Sequence, residues 1–136
     1  MIKVTKQKVL IVKKEIKPIL SLKRKYKTTY ADIKKYFNIL NCGIFNNKLS
    51  SFNDIQIRDL KHSKCIGQVI QLESVRKGTK IYKLEMDKKY ETKKDFLDTL
   101  AHEMVHLYQF FINDTANHNK IFYSFASKLK NIGLKL

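Results

Sequence analysis

The residues with the clearest chemical potential are His102, Glu103 and His106, within Ala101-His102-Glu103-Met104-Val105-His106. They lie on a stretch whose apolar residues, Phe96, Leu97, Leu100, Met104, Leu107 and Phe111, recur at helical spacing. Four residues advance a helix by about 400°, one turn and a little more. Both imidazoles therefore stand on one face and can offer nitrogens to one zinc ion. Glu103 lies next to the first of them, where a carboxylate can take a proton from water activated by the metal and pass it to a leaving amine. Buried imidazoles and carboxylates need partners, and a shared ion would supply one.

A hydrolytic zinc site uses three protein ligands and keeps one position open. One extended pattern places a glycine three positions and a histidine six positions after the second histidine; Gln109 and Ile112 stand there instead. A second pattern needs a downstream glutamate, and no Glu follows Glu103. Asp114 and His118 remain, and His118 is the better candidate because it follows a loop and can fold back over the metal helix. His62 has no ligand-like neighbours and reads as a surface or strand-edge residue.

The elements that must position these side chains are legible to different degrees. Thr29 with Asp32 three residues on resembles a capping box, and Ile33, Tyr36, Phe37, Leu40 and Ile44 continue at helical spacing, with Gly43 disturbing the helix end and Asn46-Asn47 marking a turn. Three strand-like stretches follow: Ile55 to Ile57 and on toward Leu60, Ile66 to Leu72, and Ile81 to Met86 after a Lys77-Gly78 turn. They predict a small antiparallel or mixed sheet, with the Ile81–Met86 strand as an exposed edge to which an extended substrate could add. Thr92, with Asp95 three positions on, starts the metal helix, and a further helix is expected from about His118 to Lys130, with Gly133 as its stop. Residues 1–28 read as a basic extension. Within it Val9–Val12 could be a short strand or a frayed helix, and Pro18 and the Lys-Arg-Lys-Tyr-Lys run mark a break.

The chain of 136 residues fits one domain, long enough to bury a core without disulfides. Cys42 and Cys65 are isolated thiols and form neither a zinc ribbon nor a disulfide framework. No apolar run approaches the roughly 18–20 residues of a membrane span, and no secretory leader is visible, so an intracellular, soluble protein without membrane contact is expected. The net charge is +16, and residues 1–28 hold ten basic residues against Glu15 alone. Such a field attracts polyanions, which makes nucleic acid a candidate partner.

Three blocks together resemble the SprT-like metallopeptidase family, which includes the Spartan proteases. They are Tyr36-Phe37-Asn38-Ile39-Leu40-Asn41 through Leu49, Leu100 to His106 with Gln109, and His118-Asn119-Lys120-Ile121-Phe122 through Ala126 and Gly133-Leu134. The resemblance implies an α+β, zincin-like fold: an N-terminal helix, a small three-stranded sheet, the metal helix and a C-terminal helix, within a domain of residues 29–136 that follows the basic extension 1–28. It implies His102, His106 and His118 as zinc ligands and Glu103 as general base. It further implies a zinc metalloendopeptidase acting on a protein or peptide substrate, with proteolysis linked to DNA repair, cleaving DNA-bound or DNA-crosslinked proteins in the cytoplasm or in the nucleoid or nucleus. Two departures stand out. Asn119 follows His118 where the family usually has glycine. The zinc ribbon of many members is absent, so DNA contact would fall to residues 1–28 or the domain surface. The alternatives are a basic DNA-binding protein with a structural or vestigial zinc site, and a DNA-independent peptidase with a narrow target.

Overall fold

The computed structural model describes residues 2–60, 65–73, 79–112 and 116–136. His62, Asp114 and the Lys77-Gly78 turn therefore lie outside the described residues. Of the two readings of Val9–Val12, the helix is observed: α1 runs Lys6–Leu20, and its N-cap Thr5 accepts a hydrogen bond from the Lys8 N–H at 3.3 Å. Pro18 sits inside its last turns rather than before a break, omitting one backbone bond. Val12, Ile16 and Ile19 are buried in the main core cluster, while the outer face carries exposed lysines together with exposed Leu10 and Ile11.

Helix α2, Tyr30–Phe45, begins at the expected cap, with the Thr29 hydroxyl accepting from the Asp32 N–H at 3.1 Å. Gly43 lies inside this helix and does not end it; a Cβ there would fall 2.0 Å from a Val12 methyl. Glycine at this position is what lets α1 cross so close. The turn is taken by Asn46 and Asn47, both left-handed, at φ 51° and 60°. Buried Asn41 holds the returning chain by exchanging two hydrogen bonds with the Leu49 backbone, at 2.9 and 3.1 Å.

The three strand-like stretches become β2 (Asp54–Arg58), β3 (Gly67–Glu73) and β4 (Lys80–Asp87). A short ribbon not foreseen from the sequence pairs β1 (Tyr26–Lys27) with β5 (Lys89–Tyr90). The strand order is β2-β4-β3, with β2 parallel and β3 antiparallel to β4. The Ile81–Met86 stretch is thus central and offers no free edge; among the described residues the outer strands β2 and β3 each have one side that pairs with no other strand, and it is the β3 side that lies beside α3. Leu60 falls beyond the end of β2 but is buried. Across the sheet, the Glu85 carboxylate accepts from Arg58 on β2 at 2.7 Å and from Gln68 on β3 at 2.5 Å.

Helix α3, Lys93–Phe111, starts at Thr92, whose hydroxyl accepts from the Asp95 N–H at 3.2 Å, and lies across β3 and β4. Its Phe96, Leu97, Leu100 and Met104 are inaccessible to solvent and meet Leu84, Met86, Ile33 and Leu40 in one core. Burial of this kind contributes about 1.5–3 kcal/mol per large side chain, which makes α3 a rigid mount for anything on its remaining face. The expected C-terminal helix is split into α4 (Lys120–Tyr123) and α5 (Ala126–Asn131), with Ser124 and Phe125 between them. Phe122, Phe125 and Leu129, at helical spacing, are all buried across the split. The result is an α+β fold with a small three-stranded sheet, as expected.

Candidate metal centre

His102 and His106 project from α3 one turn apart, and His118 approaches from the segment just before α4. The Nε2 atoms of His102 and His106 are 3.2 Å apart, and those of His102 and His118 are 3.3 Å apart. Hydrogen bonding alone accounts poorly for this. A ring nitrogen has one in-plane position, a proton or a lone pair, so His102 Nε2 cannot make two good bonds of this kind. Tetrahedral coordination at 2.0–2.1 Å would hold donor nitrogens about 3.3 Å apart, which is the spacing found. The three residues together could hold a metal ion, all their donor atoms lying within 4.8 Å of one another.

Electrostatics favour the same use. Burial, reinforced by the neighbouring imidazoles, pushes the pKa of His102 down to about 4. Burial also lowers that of His106. Both rings are therefore neutral at physiological pH, the form that binds metal. The ring of buried Phe122 lies against all three imidazoles: it stacks with His106 and His118, at centroid distances of 5.0 and 4.4 Å, and meets His102 edge-on at 4.9 Å.

Glu103 is 5 % exposed and lies toward β3. Burial raises its pKa to about 7, opposed by a hydrogen bond from the Val69 backbone N–H. The register explains that donor. Asp87 N–H bonds the Ile66 carbonyl, so Gln68 and Ile70 continue the bonding to β4, while Gly67, Val69 and Gln71 aim their backbone groups outward. A carboxylate titrating near neutrality is suited to exchanging protons. His102, Glu103 and His118 line one cleft of about 1030 Å³. Its other wall includes Cys65, Ile66 and Gly67 at the start of the free edge. A Cβ on Gly67 would fall 2.7 Å from the Thr99 methyl, so glycine permits the edge to approach α3 beside the histidines.

Comparison with protein families matches residues 33–135 to the SprT-like family. The chain belongs to the SprT-like family. A comparison with curated proteins found no match. The SprT-like family is of metallopeptidase type, in keeping with a histidine trio able to hold a metal. Where SprT-like sequences were expected to have glycine after the third histidine, Asn119 adopts φ −94° and ψ −169°, a conformation open to any residue, and caps α4. The departure therefore introduces no backbone strain at Asn119. Tyr108 is packed among Phe45, Phe111 and Phe125, and Tyr123 is exposed with its ring 6.4 Å from His118. Two contributors were missed from sequence. Phe122 stood in the closing block of the resemblance with no sign of contact with the histidines. Gln109 stood out only as part of a motif, and its spacing of three from His106 was the clue to contact.

Proposed function

We propose that this SprT-like protein is a zinc metalloendopeptidase in which His102, His106 and His118 hold the ion and Glu103 is the general base. The observation that carries the reading is the convergence of three imidazole nitrogens at coordination spacing beside a buried carboxylate that titrates near neutrality. A bound zinc ion would supply Lewis acidity toward water and a peptide carbonyl. Glu103 takes the proton released as water adds to the carbonyl and delivers it to the departing amine nitrogen, its pKa of about 7 suiting both directions. The outward backbone groups of Gly67 and Gln71 bind an extended substrate as an added strand, which aligns its scissile bond with Glu103. Gly67, by leaving room for the Thr99 methyl, lets β3 itself lie close to α3.

For the target, we favour protein bound or crosslinked to DNA, because the net charge is +16 and the basic segment 1–28 packs on the 29–136 domain instead of trailing from it. Lys6, Lys14 and Lys17 are exposed on α1 and present a fixed cationic face to phosphates. The deciding experiment is metal analysis of the full chain combined with cleavage of a DNA-binding protein, with and without DNA. Stoichiometric zinc with DNA-stimulated cleavage that Glu103→Gln abolishes supports the reading. Cleavage indifferent to DNA leaves a narrow-target peptidase, and zinc with DNA binding but no cleavage leaves a DNA-binding protein with a structural metal.

A further inference from the structure

Gln109 is completely buried, lies outside the cleft lining, and sits one turn beyond His106 on α3. Its amide makes three hydrogen bonds. Oε1 is 2.7 Å from His106 Nδ1, and Nε2 donates to the Asn117 carbonyl at 2.9 Å and to Asn119 Oδ1 at 3.1 Å. Asn119 Oδ1 also accepts from the Phe122 backbone N–H at 3.1 Å.

The direction of each bond follows from two backbone groups whose roles cannot change. The Phe122 N–H can only donate, so the Asn119 atom facing it is the oxygen. The Asn117 carbonyl can only accept, so the Gln109 atom facing it is the nitrogen. The other end of the Gln109 amide is then an acceptor, and His106 must carry its proton on Nδ1. That leaves Nε2 with a free lone pair, on the atom that lies 3.2 Å from His102 Nε2. The same amide ties α3 to Asn117 and Asn119, the two residues flanking His118.

We infer that Gln109, working with Asn119, is a positioning residue that sets the metal-binding tautomer of His106 and fixes the segment carrying His118 through one hydrogen-bond relay. This rests on the metal reading above. It also gives Asn119 a role that glycine could not fill, since glycine has no side-chain oxygen to cap α4 or to receive the Gln109 amide. Hydrogen-bonding partners of this kind typically alter metal affinity by about 10–100-fold.

The test is zinc affinity of the full chain, measured by competition with a chromophoric chelator, with the melting temperature of the metal-free protein recorded alongside. Gln109→Met keeps the volume and removes the relay, and is expected to weaken zinc by about 10–100-fold. Asn119→Asp keeps the oxygen for both donors and is expected to stay within about threefold of the parent, whereas Asn119→Ala loses affinity. The Gln109→Met/Asn119→Ala double variant should bind no worse than Gln109→Met, because the two residues act through one relay. Parental affinity in Gln109→Met, or losses that simply add, would overturn the inference. A fall in metal-free melting temperature with undiminished zinc affinity would also overturn it, by reducing Gln109 to a packing residue. If Gln109→Met does not fold, the Asn119 pair decides: alanine must weaken zinc and aspartate must not. A parent chain that binds no zinc defeats the metal reading itself, a result separable from any difference among variants.

Discussion

Replacing Glu103 with glutamine should make the metal-free protein more stable and the metal-loaded protein inactive. Glu103 has its pKa raised from 4.5 to about 7 by burial. The folded state therefore binds this proton more tightly than the unfolded chain does, and stability falls as pH rises from 4.5 to 7, then levels off. A shift of this size corresponds to about 3 kcal/mol at full extent. Glutamine keeps the oxygen that accepts the Val69 N–H and never ionises. The stability difference, variant minus parent, should be small at pH 4 and open to about 2–3 kcal/mol by pH 8, after allowance of about 1 kcal/mol for the new amide N–H groups. His102 titrates as well, but both proteins carry it and it drops out of the difference. Urea unfolding of chelator-treated protein at pH 4, 6 and 8 measures the stability. Peptide cleavage on zinc-loaded protein should fall by about 10²–10⁴-fold with zinc retained. Parallel stability curves across this pH range would refute the account of Glu103 as a carboxylate held in the fold at an energetic cost. Undiminished cleavage would refute its role as general base.

Zinc at about 100 times its dissociation constant should stabilise the parent by about 2.7 kcal/mol, and His118→Ala should abolish most of that gain; calorimetry with and without chelator measures it. Gly43→Ala should destabilise by about 1–3 kcal/mol, since its Cβ would overlap Val12. Helix propensity alone would give a gain of about 1 kcal/mol, so the sign of the change in urea unfolding decides whether α1 packs at Gly43. Substituting Lys6, Lys14 and Lys17 together with alanine should lower the slope of log DNA affinity against log salt by about 1 for each phosphate no longer neutralised, and an unchanged slope would remove α1 from the DNA-binding surface.

What could be read from the chain was what is local to it. The spacing of His102 and His106 specifies shared helical geometry within one turn, and Thr29 and Thr92 announce helix starts through contacts three residues long. Which strands form the edges depends on β2 pairing in parallel with β4 across the chain, so the Ile81–Met86 stretch gave no sign of being central. Helix α1 was obscured because its many lysines and Pro18 suggested an extension, although Val12, Ile16 and Ile19 already carried a helical repeat behind the Thr5 cap. The inward face of Phe122, Phe125 and Leu129 follows from their helical spacing, but the break between α4 and α5 has no glycine or proline to announce it. Gln109 was visible as a letter in a motif, but its partners lie beyond the end of α3, and its work emerges only when that segment has folded back.

One aromatic ring is in contact with all three imidazoles. Phe122 lies against each ring, so in the proposed metal site trimming or enlarging that one side chain is expected to move the three donors together without deleting any of them. If the proposed site is loaded, its tolerance for a smaller or a larger cation would then depend partly on a hydrocarbon that has no lone pair of its own to offer.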